Sequence, residues 1–381
     1  MKKASSLRIL GTRDAVAWLA VLQRAQQHDF HHLPQYHAVA EEQGEGEAQL
    51  FVFEEGEHIV ALPLLLRAIN PEDQAGWFDA TSVYGYGGPI ASQADVPGDV
   101  VARFQAALSD ELDRRRVVSV FSRLHPLIEQ QGLLAGLGEC PDNGGTISID
   151  LTLPEEAQRA KYNKSCRRAL RQLREAGFVG FHDEEKRYLS EFTEVYLETM
   201  RRAGAQSSYY FDEAYFNALT HALGSASHLF VALKDGRVAA ATLCTVSSGI
   251  VQDHLGGTRD AFLEFSPDRL VVDTERAWAT TIGARVFHLG GGVGAQQDSV
   301  FRYKAGFSDC RHTFRTWRWI IRPDVYGELC TRAAQRNAEN GVRAISDRYF
   351  PAYRCPTIDA AAEETSPFAE QLVGKEGCLH A

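Results

Sequence analysis

No two of the seven cysteines (Cys140, Cys166, Cys244, Cys310, Cys330, Cys355, Cys378) form a CxxC pair, and their number is odd. That excludes a small disulfide framework and points to reduced thiols in a cytoplasmic protein. Long apolar runs are also lacking. The start, MKKASSLRIL, is too short in apolar residues for a signal peptide, and His58 to Ile69 is interrupted by Pro63 and Arg67. Neither export nor a membrane span is expected. Positive charge is in deficit, with 40 Lys and Arg against 50 Asp and Glu, a formal net charge of −10. A DNA-coating surface is thereby excluded, although a local basic patch can still act. HExxH, GxGxxG, GxxxxGK and GxSxG are all absent, which removes the usual grounds for zinc hydrolysis, dinucleotide binding, nucleotide hydrolysis and serine hydrolysis. Four histidines crowd HDFHHLPQYH (His28 to His37). Without HExxH spacing or cysteine partners they read as a polar loop after a helix, and no metal site is expected.

What is present is an ordinary globular composition, 44% hydrophobic and 24% charged over 381 residues, enough for two domains. A strand–turn–strand pattern occurs twice, in Leu50 to Leu66 around Glu55-Gly56 and in Leu229 to Val246 around Asp235-Gly236. Acidic-Gly dipeptides between β-branched and aromatic runs predict tight hairpins. Each follows a helical segment (Ala15 to Gln27, Tyr188 to Arg202) and precedes a glycine-rich turn, YGYGGP (Tyr84 to Pro89) or HLGGT (His254 to Thr258). The repeated order indicates two related halves, 1–150 and 151–350. Helices are expected over Pro97 to Arg115, Glu155 to Gly177, Ser266 to Gly283 and Pro323 to Asn340, and strands over Val117 to Phe121 and His312 to Ile321. Residues 356–381 have the composition of a disordered tail.

Two segments carry candidate chemistry. In HLGGGVGAQQDSVFRYKAGFSD (His288 to Asp309), a strand runs into four glycines and then a short helix. Gly290, Gly291, Gly292 and Gly294 allow a sharp bend or a close approach to a ligand. Asp298 can cap the helix, Gly306 can close it in a left-handed conformation, and Lys304 stands at its end. Equally, Lys304 can serve only the helix dipole, with Phe301 and Phe307 as core. In KYNKSCRRALRQLR (Lys161 to Arg174), helical spacing gathers Lys164, Arg167, Arg168, Arg171 and Arg174 on one face, opposite Cys166, Leu170 and Leu173. Such a face suits phosphate; alternatively, Glu155, Glu156 or Asp183 answers it.

The segments KYNKSCRRALRQLREAGF and FHLGGG…DSVFRYKAGF, with the paired halves and YGYGGP, resemble the FemABX and BioF2-like branch of the GNAT acyltransferase superfamily. The resemblance spans roughly Leu50 to Phe350, and its most specific element is Tyr303 to Phe307. It implies an α/β (α+β) fold of tandem GNAT-like domains, each a mixed, mostly antiparallel sheet flanked by helices. It also implies amide formation, with aminoacyl-tRNA as donor co-substrate in many members, no bound cofactor, and an amine acceptor. By resemblance, Lys304 stabilises the reacting carbonyl or the donor end, and Arg167, Arg168 and Arg171 suit phosphates. One departure concerns coenzyme A: the (Q/R)xxGx(G/A) loop that cradles its pyrophosphate has no counterpart in Gly256 to Asp273.

Amide formation from an ester needs a neutral amine, donors aimed at the oxyanion and an exit for a proton. Lys304 or backbone N–H groups near Gly290 to Gly294, Gly291 and Gly292 among them, meet the second need. Asp253, His254, His288 and Asp298 are the candidates for the third. Tyr84, Tyr86 and Tyr303 are candidates for lining the substrate groove, against a packing role. The expected function is an acyltransferase using aminoacyl-tRNA and a small anionic or phosphate-bearing amine. The alternatives are an acyl-CoA or carrier-thioester N-acyltransferase, or a non-catalytic RNA- or phosphate-binding relative.

Overall fold

The computed structural model describes residues 6–69, 76–206, 209–346 and 348–359. The chain divides into two compact units, one holding the residues up to Asn143 and those from Thr313 onward, the other Gly144–His312. In chain order the first unit begins with β1 (Ser6–Gly11), α1 (Ala15–Arg24), α2 (Pro34–Glu42), β2 (Glu47–Glu55), β3 (His58–Ala68), β4 (Phe78–Thr81), β5 (Ile90–Ala91), α3 (Gly98–Arg114), β6 (Val117–Leu124) and α4 (Gln131–Leu134). The second comprises β7 (Asp142–Asp150), α5 (Glu155–Ala160), α6 (Lys164–Glu175), β8 (Val179–Asp183), α7 (Leu189–Ala203), α8 (Glu213–Leu223), β9 (Ser227–Lys234), β10 (Arg237–Ser247), β11 (Ile250–Thr258), α9 (Asp268–Thr281), β12 (Val286–Gly291) and α10 (Ser299–Lys304). The chain then adds β13 (Cys310–Ile320), α11 (Pro323–Glu339), β14 (Val342–Ala344) and β15 (Thr357–Asp359).

The division differs from the sequence expectation of 1–150 and 151–350. β7 begins at Asp142 and pairs with β12, so the glycine turn and alternating strand belong with the second unit. β13 pairs with β6 over Arg315 to Ile320, which returns the last part of the chain to the first unit. In the stretch expected as a tail, Thr357–Asp359 pair with β14, and residues 360–381 lie outside the described residues.

In the first unit the strands run in the order β1, β2, β3, β4, β6, β13, with β5 on β3. All pairs are antiparallel except β4 with β6. Alternation decides which helix each face meets. Phe51, Phe53, Val60, Leu62 and Leu64 join Phe104, Leu108 and Leu112 of α3, whereas Leu50, Val52, Ile59 and Ala61 join Trp18, Val21 and Leu22 of α1. Both faces are thus apolar, which is why the strands read as nearly continuous hydrophobic runs.

The second unit has the order β8, β9, β10, β11, β12, β7. Asp235 and Gly236 both have positive φ (50° and 75°), the left-handed pair a two-residue hairpin requires. α6 and α9 supply Leu170, Leu173, Leu270 and Val271 to a core with Phe230, Val251 and Phe287. Two expectations are corrected. HLGGT is part of β11, not a turn: a Cβ on Gly257 would lie 2.8 Å from the Val195 carbonyl oxygen, so this glycine admits the α7 backbone onto the sheet. The basic helix expected over 155–177 is two helices, because Asn163 starts a new one by accepting the Cys166 N–H at 2.8 Å. Among the described residues, no helix is long and apolar enough to cross a membrane.

Candidate active site

Among the described residues the second unit contains one parallel strand pair, β11 with β12, joined by the crossover helix α9. Their ladder covers only Ile250–Gln252 against Val286–His288, although β11 continues to Thr258 and β12 to Gly291. Both strands change register just past that point. Opposite β10, Leu243 meets Leu255 while Cys244 meets Asp253, leaving His254 as the extra residue; opposite β7, the register shifts between His288 and Gly290. Gly290 has φ 76°, which suits glycine alone without cost. Paired bulges bend strands apart. The result is a wedge whose β11 wall begins at Asp253 and whose β12 wall leads into the glycine loop.

Charged groups gather at the wedge. Lys304, the last residue of α10, is 1% exposed. Its ammonium acts on the buried Asp253 carboxyl. Burial pushes Asp253 up to about 6, against the pull of Lys304 and with a further push from Asp268 in the first turn of α9. Glu275, also on α9, is fully buried, and neither of its carboxyl oxygens has a hydrogen-bond partner. Burial and the nearby Asp253 raise it well above the usual carboxylate range. Tyr303 lies against Asp268, with the Arg269 guanidinium 5.0 Å from its ring centroid. Sequence reasoning singled out Lys304, Asp253 and Tyr303 but missed Glu275 and Asp268. The signal was there for Glu275: it stands four residues from Val271 and from Ala279, both buried, as an acid on an apolar helical stripe.

Other candidates hold structural positions. Asp298 caps α10, its two oxygens accepting the N–H groups of Phe301 (2.8 Å) and Val293 (3.2 Å). His288 is buried with Nδ1 3.0 Å from Gln252 Oε1 and Nε2 2.9 Å from Thr146 Oγ1, so both ring nitrogens are engaged within the sheet. His254 is buried as well. Gly291 and Gly292 serve close backbone packing: a Cβ would lie 2.9 Å from the Gly145 carbonyl oxygen at the first and 2.1 Å from that of Gln296 at the second. Gly306 does not take the expected left-handed conformation. Its role is also close approach, and its carbonyl accepts the Asn163 N–H at 2.8 Å.

That bond ties the segment after Lys304 to the N-cap of α6, and Lys161 to Asp309 at 2.8 Å adds a second tie. The α6 cations then divide. Arg174 pairs with Asp273 (2.5 Å) and Arg171 with Glu175 (3.9 Å), rather than with the acids proposed from sequence. Lys164, Arg167 and Arg168 are exposed, with no carboxylate within 4.0 Å among the described residues.

Tyr84 and Tyr86 belong to the first unit. Tyr86 is core, edge-on to His31, His125 and Phe314 at 5.4–5.9 Å between centroids. Tyr84 is half-buried, and its carbonyl accepts the Tyr36 hydroxyl at 3.1 Å. The histidine-rich segment is not a polar loop: His31, His32 and His37 are buried, and α2 starts at Pro34. Asp29, His31 and His125 group closely enough to hold a metal ion. The Leu127 N–H donates to His125 Nδ1 at 3.1 Å, which leaves the ring proton on Nε2, 3.0 Å from Asp29 Oδ2. His31 Nδ1 reaches the same oxygen at 3.0 Å. Burial raises the Asp29 carboxyl, but the His125 and His31 contacts outweigh it and hold it far below the usual range. In this arrangement the Asp29 carboxylate accepts hydrogen bonds from both imidazoles.

Residues 160–305 match the acetyltransferase (GNAT) domain family. The second unit is a GNAT-type acyltransferase domain. The match contains α6, α9, both walls of the wedge and Lys304. The chain also matches the crystal structure of FemX with a TM-score of 0.65 at 12% identity, covering 85% of this chain and 99% of FemX. A conserved protein of unknown function from Bacteroides thetaiotaomicron gives 0.54 at 10% identity (83% and 100% covered), and L-PGS from Bacillus licheniformis 0.51 at 13% (82% and 94%). The fold is that of the FemABX-like branch, and these likenesses are likenesses of fold. No curated protein is similar enough in sequence to match.

The carboxyl pair gives the GNAT domain a pH signature. Asp253 is raised above its ordinary value, so between about pH 4 and pH 6 the folded state binds more protons than the unfolded one, and this group's contribution to stability falls as pH rises through that window. Asp253→Asn is expected to melt at least about 2 °C above the wild type at pH 8, with the gap closing by pH 4.5. Thermal unfolding of both proteins across that range checks it; a variant less stable at pH 8 would mean that Lys304 outweighs burial.

Proposed function

We propose that the protein forms an amide by moving an aminoacyl group from the 3′ ester of an aminoacyl-tRNA to the amine of a small anionic or phosphate-bearing acceptor. The observation that carries this reading is the tie between α10 and α6. The Asn163–Gly306 hydrogen bond sets three cations without carboxylate partners close in the fold to the buried Lys304. Phosphates of the donor engage Lys164, Arg167 and Arg168, while its ester reaches the wedge. The amine attacks the ester carbonyl, and the Lys304 ammonium stabilises the oxyanion. As the C–N bond forms and the C–O bond breaks, Asp253 takes the amine proton and returns it to the departing 3′ oxygen. A carboxyl raised to about 6 suits that exchange near neutral pH. Glu275, held neutral, keeps a second negative charge away from it.

A thioester donor is the second reading, favoured by the GNAT match and by the wedge, whose open strand edges suit an extended amide-bearing arm. The first turn of α9, where a pyrophosphate would seek backbone N–H groups, carries Asp268 instead. Cytoplasmic residence follows from a tRNA donor.

The test is mass-spectrometric detection of new amides after incubation with charged tRNA and a small-molecule extract, with and without RNase. Product lost with RNase supports the tRNA donor; product that survives and needs acyl-CoA replaces it with the thioester. For binding, Arg167→Ala with Arg168→Ala is expected to weaken tRNA affinity and lower the slope of log K against log salt by about 1–2. A slope equal to that of the wild type would remove α6 from the donor site.

A further inference from the structure

His182 and His228 come together at the outer edge of the second unit's sheet. β8 is the last strand in the order, and His182 pairs with Phe230 in the β8–β9 ladder. His228, two residues before Phe230, is therefore the diagonal neighbour of His182 on the same face. His182 Nε2 lies 3.1 Å from His228 Nδ1. Neither belongs to the histidine-rich segment near the start of the chain.

Aromatic packing holds both rings. Phe230 stacks on His182 with 4.6 Å between centroids and 16° between planes. Trp278 of α9 packs against the pair, 4.4 Å from His228 and 5.1 Å from His182. Rings gripped in this way aim two nitrogens at one point whether or not a proton lies between them. An ion can reach that point, because both histidines are only partly buried and 14% of the His182 side chain is exposed.

Two neutral imidazoles at this spacing can share a proton, or they can share a cation. Nitrogens bonded to one tetrahedral metal ion at about 2.0–2.1 Å are about 3.3 Å apart, close to the observed separation. The protonation state fits as well. Burial pushes both imidazoles down, His228 to about 4 with a further push from His182 and Lys186, so both are neutral at pH 7, as metal ligands must be. Glu184 stands 3.8 Å from His182 Nδ1, the ring nitrogen not engaged with His228. A carboxylate there favours the proton on Nδ1 and leaves the Nε2 lone pair for a metal. Of the charged groups around His182, Glu184 and Asp183 favour a cation and Lys186 opposes one.

We propose that His182 Nε2 and His228 Nδ1 bind one first-row transition-metal ion of the Zn²⁺ or Cu²⁺ type, with water in the remaining positions. The imidazole ligands select that class over Mg²⁺ and Ca²⁺, which take oxygen. The ion bridges the edge strand β8 to β9, and neither histidine takes part in the proposed transfer.

Calorimetric titration of the untagged full chain is expected to show one Zn²⁺ bound per chain with a dissociation constant below about 100 µM, and no binding of Mg²⁺. His182→Asn and, separately, His228→Asn are each expected to weaken Zn²⁺ at least about tenfold, with the metal-free proteins melting within about 3 °C of the wild type. The wild type gives a check that needs no variant: with one equivalent of Cu²⁺, its paramagnetic resonance spectrum is expected to show coupling to two imidazole nitrogens. The proposal is overturned if Zn²⁺ does not bind at about 1 mM, if the copper spectrum shows fewer than two nitrogens, or if either variant keeps the affinity of the wild type, which would place the ion on another group such as Asp29, His31 and His125.

Discussion

Lys304→Met is expected to lower turnover by a factor of about 10²–10³ while leaving donor affinity within about threefold. The asymmetry follows from position. Lys304 is buried at the wedge beside Asp253, whereas the groups proposed to hold the donor's phosphates are on the exposed face of α6. A cation at the reacting carbonyl is worth most when negative charge develops there, so its loss falls on the chemical step rather than on binding. Methionine keeps the length and apolar stem of lysine, so the wedge retains its packing. A second effect has the same origin. Without the ammonium, Asp253 loses the positive charge that draws it down, and the acidic limb of any residual pH profile is expected to move upward from about 6. The measurement is single-turnover formation of the amide product found with the wild type, as a function of pH, alongside titration of the donor. Turnover within about threefold of the wild type would remove Lys304 from the chemistry, and a loss confined to binding would move it into the donor site.

Much of this arrangement was legible in the residues, and the rest was hidden for physical reasons. The hairpins were readable because Glu55-Gly56 and Asp235-Gly236 carry turn chemistry between apolar runs. Asp298 was readable as a cap, and Pro323 marked the start of α11. The glycines misled more often. Gly256, Gly257 and Gly291 look like turn or ligand-loop residues, yet each is small because another part of the chain passes within about 3 Å of where a Cβ would be. That requirement comes from tertiary packing and leaves no local signature. The same holds for HDFHHLPQYH, which reads as polar but is buried because Asp29 satisfies His31 locally and His125 from 96 residues away. The wedge itself is a property of register. A parallel ladder of three residues and two bulges cannot be inferred from either strand alone, since each bulge is defined by a partner strand. Lys304 could be found from its surroundings in sequence, but the carboxyl group of Glu275 could be found only by asking why an acid occupies the inward face of α9.

Asp273→Ala is expected to destabilise the fold by about 3–5 kcal/mol, the largest stability effect at any site considered. Asp273 is 3% exposed and gathers four partners: Arg174 at 2.5 Å, Tyr162 Oη at 3.0 Å, and Arg159 and Arg276 at 3.4 Å. Arg276 is the critical one, because it is fully buried. Its remaining contacts are Gln158 Oε1 at 2.9 Å and the half-exposed Glu155 at 3.1 Å. Removing Asp273 leaves that guanidinium with only the solvent-facing Glu155 as counter-charge, and desolvation of an ill-paired buried charge is the costly term. Asp273→Asn separates charge from shape, since an amide can still accept the Tyr162 hydroxyl; a loss close to that of alanine would assign the effect to charge. Denaturant unfolding of the three proteins gives the comparison, and a loss under about 1 kcal/mol for alanine would show that Glu155 suffices. The consequence reaches the site. Asp273 is the anchor of Arg174, so it fixes one end of α6 to α9 while Asn163 fixes the other to Gly306. Lys164, Arg167 and Arg168 lie between these two ties, held in place without spending their own charge, which is the condition a helix must meet to offer cations to a phosphate.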